Sequence, residues 1–129
     1  MCGLAFLYDQ TITEALSSER MAAALLRMHH RGPDAQELLQ KNNATFGHVR
    51  LSIVDVSGSP QPMNSADGRY TVVFNGEIYN YKELKEGLVD RWTFKTNGDT
   101  EVLLAGLVLS LVLVIYLTKK ALKRNMVSF

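Results

Sequence analysis

At 129 residues the chain is long enough for one domain with a real core, and its hydrophobic and charged fractions, 47% and 21%, are ordinary for a globular protein. A formal net charge of +1, from 14 basic and 13 acidic residues, gives no reason to expect a nucleic-acid partner. Cys2 is the one cysteine, which excludes an intrachain disulfide and a multi-cysteine zinc site and suits a reducing, cytoplasmic setting.

Met1 to Tyr8 is apolar but lacks the basic start of a secretory leader. Within it, Leu4 to Tyr8 reads as a short, fully buried strand with Cys2 at its leading end. A helix is expected from Ser17 or Ser18, with Met21, Leu25 and Met28 at i, i+4 and i+7 on its core face. Pro33 stops it, because the residue before a proline avoids the helical region, and Arg31-Gly32-Pro33-Asp34 is left as a loop. Glu37 to Asn43 is polar, and Asn42-Asn43 suits a turn. Thr45 to Val54 alternates as a strand, with Val49, Leu51 and Ile53 on one face and His48, Arg50 and Ser52 on the other.

Ser57 to Ala66 holds Gly58, Pro60 and Pro62 and reads as a loop. The Asp67-Gly68 turn leads into a strand from Tyr70 to Phe74, which Asn75-Gly76 ends. Asn80 and Glu83 have the spacing of a capping box, opening a short helix with Leu84 and Leu88 on one face. Trp92 to Thr96 reads as a short strand, and Asp99 or Thr100 as the cap of a helix that begins at Glu101. Such irregular alternation, with hairpin signals, predicts an α+β domain whose sheet is largely antiparallel.

From Val102 to Leu117 sixteen residues carry no charge, and Lys119, Lys120, Lys123 and Arg124 close the run. Three readings of this stretch stay open: a membrane-associated segment through residues 102–117, a buried core helix, or a chain end with no designed role. The run is short of the roughly 20 residues of a comfortable span. Basic residues on both sides leave its orientation undecided. The chain thus divides into residues 1–104 and an apolar helix with a basic tail, residues 105–129.

The first residues carry a chemical possibility of their own. Removal of Met1 would leave Cys2 with both a thiol and a free α-amine, whose pKa of roughly 7.7–8.0 suits a base near neutral pH. A nucleophile activated by its own N-terminal amine needs no histidine, and His48 is read as structural.

Six stretches, in order, together resemble one family: Met1-Cys2-Gly3, Arg31-Gly32-Pro33-Asp34, Gly47 through Asp55, Gln61-Pro62-Met63, Phe74 through Tyr81, and Asp99 through Leu104. They resemble the glutaminase domain of glutamine-dependent asparagine synthetases, a class II glutamine amidotransferase of the N-terminal-nucleophile type. The resemblance covers residues 1 to about 104 and implies two stacked antiparallel sheets with flanking helices. It implies hydrolysis of glutamine to glutamate and ammonia through a thioester on Cys2. Asn75 and Gly76 would form the oxyanion hole, and Arg50 would hold the substrate carboxylate. Glu77 and Asp99 would hold its ammonium, with Leu51 and Ile53 contributing backbone around it. No metal is expected in this site.

Two departures from the family pattern bear on these expectations. Phe6 stands where the family has a glycine, and a benzyl group there would overpack at a cost of about 1–3 kcal/mol. After Leu104 the family's further strands do not follow, so the domain is expected to be truncated and incomplete. No Ser-Gly-Gly-x-Asp-Ser loop occurs, so ATP and magnesium would belong to a synthetase domain outside these residues, or to a separate synthetase chain. The rival reading is a catalytically inert remnant, or a membrane-tethered binding protein that keeps the glutamine pocket.

Overall fold

The computed structural model describes residues 2–51 and 59–126, with side chains of the last helix as far as residue 119. Its strands are β1 (Gly3–Tyr8), β2 (Ala35–Lys41), β3 (Ala44–Arg50), β4 (Met63–Asn64) and β5 (Thr71–Val72). The α-helices are α1 (Glu14–Met28), α2 (Tyr81–Glu86) and α3 (Asp99–Met126), and His29–Arg31 form a 3-10 turn after α1. β1, β3 and β2 pair in that order in one antiparallel sheet, and β4 with β5 in a second. The domain is therefore α+β with antiparallel sheets, as its pattern predicts.

Helix α1 covers one face of the larger sheet. Met21, Leu25 and Val49 are its buried centre, with Ala5, Leu7 and Met28 packed around them. The helix starts three residues before Ser17, because Thr13 caps it by accepting a hydrogen bond from the Leu16 N–H. The two serines at the expected start instead fasten the helix to the sheet. Buried Ser17 hydrogen-bonds Thr45, and the Ser18 hydroxyl donates to Gln40 Oε1 at 2.8 Å.

β2 is a strand that the sequence conceals, since Gln36, Glu37, Gln40 and Lys41 lack the alternation of a half-buried strand. Its pairing is set by the hairpin: Asn42 sits at φ 53, and Lys41 falls opposite Ala44. β1 is not fully buried. Leu4, Phe6 and Tyr8 point away from α1 and are exposed, Phe6 at 59%. The Phe6 ring leans on Phe46 with centroids 5.1 Å apart, so the overpacking expected at this position does not arise.

Three other expectations, in the chain from Tyr70 to Thr96, are not met, and one lies beyond reach. The strand after Asp67-Gly68 is paired only at Thr71–Val72. Asn80 precedes α2 but makes no side-chain cap, its backbone at φ −94, ψ 24 lying outside the extended geometry of a capping residue. β3 ends at Arg50, and the continuation expected as far as Val54 lies outside the described residues beyond Leu51.

Trp92 to Thr96 is not a strand; it wraps around Glu101, a residue 5% exposed in the first turn of α3. The Lys95 N–H reaches both carboxylate oxygens at 3.0 Å, and Thr96 donates its N–H at 2.7 Å and its hydroxyl at 2.8 Å. Trp92 Nε1 adds a fourth donor group at 3.3 Å. Burial pushes the Glu101 carboxyl up, but these hydrogen bonds outweigh it and hold the acid below the ordinary glutamate value.

α3 joins two of the readings open in the sequence. Val102, Leu104 and Ala105 are buried in the domain, whereas Leu107 and residues 111–117 are exposed. By length and composition alone, Asp99–Lys119 could cross a membrane, but the front of that stretch is domain core.

Replacing Glu101 by Gln puts an amide nitrogen against main-chain donors, and should lower stability by about 1.5–3 kcal/mol. Because the folded acid titrates below about 4.5, its contribution is present above that pH and disappears as pH falls through the folded value. Denaturant titrations should therefore show the Glu101→Gln difference shrinking from pH 7 to pH 3. A difference that does not change with pH would contradict the assignment.

Candidate active site

Antiparallel pairing positions the nucleophile candidate. Gly3 lies opposite Val49, so Cys2, one residue upstream, reaches the chain just past the end of β3. There the Leu51 N–H donates to Cys2 Sγ at 3.3 Å, and the thiol lies 3.6 Å from the Leu51 carbonyl. Arg31 Nε donates to the Cys2 carbonyl at 3.2 Å, holding the residue's backbone from the other side.

The loop containing Arg31 is pressed against β3. A Cβ on Gly32 would come within 2.5 Å of Val49 and Arg50 main-chain atoms, so no other residue fits without moving the strand. Pro33 bridges Arg50, and the Asp34 N–H donates to the Arg50 carbonyl at 3.0 Å. Arg31-Gly32-Pro33-Asp34 thus ties the backbones of Cys2 and Arg50 together.

Cys2, Arg50 and Leu51 line a cavity of about 320 Å³, opposite Asn75, Gly76 and Glu77 from the segment after β5, and Asp99 from the start of α3. That volume lies within the range of small-molecule sites, about 300–1,000 Å³. Seven of the eight residues singled out in the sequence meet here; the eighth, Ile53, lies outside the described residues. A Cβ on Gly76 would stand 2.6 Å from the Phe74 ring, so the bare backbone is what lets the chain turn under that ring. Asp99 Oδ2 accepts the Ile78 N–H at 3.0 Å, which links α3 to the loop that follows Gly76.

Ser59, Gln61, Tyr79 and Thr100 also line the cavity. Gln61, Tyr79 and Thr100 lie inside the stretches that carry the family resemblance but were given no role of their own, because Gln61 stands beside a proline in a loop and Thr100 has the spacing of a helix cap. Among the described residues no three His, Cys, Asp or Glu side chains are grouped to hold a metal ion. His48 is buried beside the site, and neither ring nitrogen has a well-formed hydrogen bond among the described residues. Burial, with the Arg50 charge adding to it, holds its pKa below the ordinary histidine value.

A thiol at a strand terminus, a cation, two carboxylates and a loop with N–H donors after β5 are parts suited to bind an amino acid and attack it. The sequence matches the profile of the glutamine amidotransferase domain over residues 1–110. The chain belongs to that family. The chain is 41% identical over 108 residues to glutamine-hydrolyzing asparagine synthetase 1 of Bacillus subtilis (strain 168), covering 81% of this chain and 17% of that protein. It is 40% identical over 106 residues to glutamine-hydrolyzing asparagine synthetase B of Escherichia coli (strain K12), covering 81% of this chain and 19% of that protein. A second Bacillus subtilis relative, glutamine-hydrolyzing asparagine synthetase 3, is 37% identical over 110 residues, covering 81% and 17%. The chain spans less than a fifth of the length of these relatives.

Proposed function

We propose that this chain cleaves the side-chain amide of glutamine, forming a γ-glutamyl thioester on Cys2 and releasing ammonia. What supports the reading is the one cavity in which Cys2, Arg50, Asn75, Gly76, Glu77 and Asp99 meet. The Cys2 sulfur attacks the amide carbon, and the developing oxyanion is received by the Asn75 side-chain amide and the Gly76 N–H. The α-amine of Cys2, once Met1 is removed, carries the thiol proton to the departing nitrogen, and water then releases glutamate. Arg50 pairs with the substrate α-carboxylate, Glu77 and Asp99 with its α-ammonium, and Leu51 and Ile53 supply backbone around it.

The architecture that goes with this reading is the stacked-sheet arrangement of N-terminal nucleophile enzymes, with the exposed Leu4–Phe6–Tyr8 face of β1 on the inner side. The relatives' names join glutamine hydrolysis to asparagine synthesis. By the same analogy, the ammonia released here serves a synthetase domain or a separate synthetase chain, which would supply the ATP and magnesium chemistry.

Removing Arg50 and removing Asn75 should have different kinetic signatures. Arg50 holds substrate in ground and transition states alike, so Arg50→Ala should act mainly on KM for glutamine. Asn75 meets charge that exists only in the transition state, so Asn75→Ala should lower kcat by about a hundred- to a thousand-fold. Steady-state ammonia release checks both; matching effects of the two variants on both constants would contradict the division.

A second reading concerns the outer part of α3, where consecutive exposed residues Leu111 to Leu117 are apolar around the whole helix. A protein partner covers one stripe of a helix, whereas a lipid phase covers all of it. Residues 107–119 extend only roughly 20 Å, against about 30 Å of hydrocarbon. Crossing would require residues 99–106, which supply Asp99 and Thr100 to the cavity and Val102, Leu104 and Ala105 to the core. The outer helix therefore enters one leaflet while the cavity stays assembled, giving a cytoplasmic-face, membrane-associated protein. The chain should float with lipid vesicles in a density gradient, and Leu111→Lys/Val114→Lys should not. A detergent-free monodisperse monomer that ignores vesicles would contradict this.

A further inference from the structure

We infer that Gln61 is a positioning residue for the proposed hydrolysis, holding the oxyanion loop after β5 and the ammonium-binding helix start in one frame. The inference rests on the glutaminase reading of the cavity. Gln61 is only 8% exposed and lines the cavity directly. Its Oε1 accepts the Phe74 N–H at 2.5 Å, and its Nε2 donates to Thr100 Oγ1 at 3.1 Å. Phe74 immediately precedes Asn75-Gly76, and Thr100 immediately follows Asp99.

One planar amide thus spans the two sides of the site. Its acceptor end fixes the backbone that presents both oxyanion donors, and its donor end fixes the first turn of α3. The Asp99 carboxylate closes the circuit by accepting the Ile78 N–H, two residues beyond Gly76. The path from Gln61 through Phe74, Gly76, Ile78, Asp99 and Thr100 returns to Gln61. A shift of either side moves the other, so the distance between oxyanion donors and ammonium site is set by this ring.

Glutamine suits the task because one end must accept from an N–H while the other meets a hydroxyl. Glutamate could keep both contacts, since the Thr100 hydroxyl can turn and donate to it. Methionine matches the side chain's length and makes neither bond. A residue that merely fills space would tolerate methionine. One that positions by hydrogen bonds would tolerate glutamate better.

The test measures glutamine hydrolysis in parallel with titration of Cys2 by a glutamine-like diazo-ketone, which counts intact sites. With Cys2 still titrating once per chain, Gln61→Met should lower kcat by about ten- to a hundred-fold and raise KM, as misplacement of reacting groups does. Gln61→Glu should recover most of that loss. Thr100→Val cuts only the α3 side of the ring and should raise KM more than it lowers kcat. It decides the matter even if Gln61→Met does not fold. Kinetic constants for Gln61→Met and Thr100→Val equal to wild type, or losses of kcat only in proportion to titratable Cys2 with KM unchanged, would overturn the inference and leave the glutaminase reading standing. A wild-type chain that neither hydrolyses glutamine nor takes the diazo-ketone on Cys2 would overturn both.

Discussion

The site depends on the register between β1 and β3. With Gly3 opposite Val49, Cys2 is carried to Leu51, whose N–H donates to its sulfur at 3.3 Å. A slip of one residue would turn Ala5 and Leu7 away from Met21 and Leu25 and put Leu4 and Phe6 under α1. The same slip would carry Cys2 away from Arg50 and Leu51. Core packing and site assembly are consequences of one pairing, and the Arg31–Asp34 loop secures it by bonding to Cys2 and Arg50.

The other half of the cavity is built without regular strands. The chain from Thr71 to Gly98 contains one paired dipeptide and one short helix, and is held chiefly by side chains that reach main-chain donors. Glu101 gathers residues 92–96, Asp99 takes the Ile78 N–H, and Gln61 takes the Phe74 N–H. Buried acceptors of this kind are strong because the donors they meet have been removed from water. They make the first turn of α3 the hub of this half. The same helix continues into an apolar stretch outside the domain, so its two ends face different environments.

The reach of the sequence follows from where its signals are local. Helix α1 was legible from the spacing of Met21, Leu25 and Met28, although its start was displaced by an unremarkable Thr13. The candidate site residues were legible as short motifs, and Cys2, Arg50, Leu51, Asn75, Gly76, Glu77 and Asp99 share one cavity. β2 was hidden because its strand character comes from pairing to β3 and not from its own polar residues. Burial of Leu4 to Tyr8 was misread because an apolar run does not reveal whether both faces of its sheet are covered. Gln61 and Glu101 were invisible as organisers, since their importance lies in bonds to residues 13 and 39 positions away in one case and a neighbouring loop in the other.

The central claim is that Cys2 becomes acylated by glutamine. The most direct measurement mixes the chain, freed of Met1, with excess glutamine, quenches in acid within the first turnover, and examines the intact protein and its N-terminal peptide by mass spectrometry. The account predicts one added γ-glutamyl group, located on Cys2, that is lost on longer incubation and absent from Cys2→Ala. Release of ammonia from glutamine by Cys2→Ala at the wild-type rate, or acylation at another residue, would contradict it.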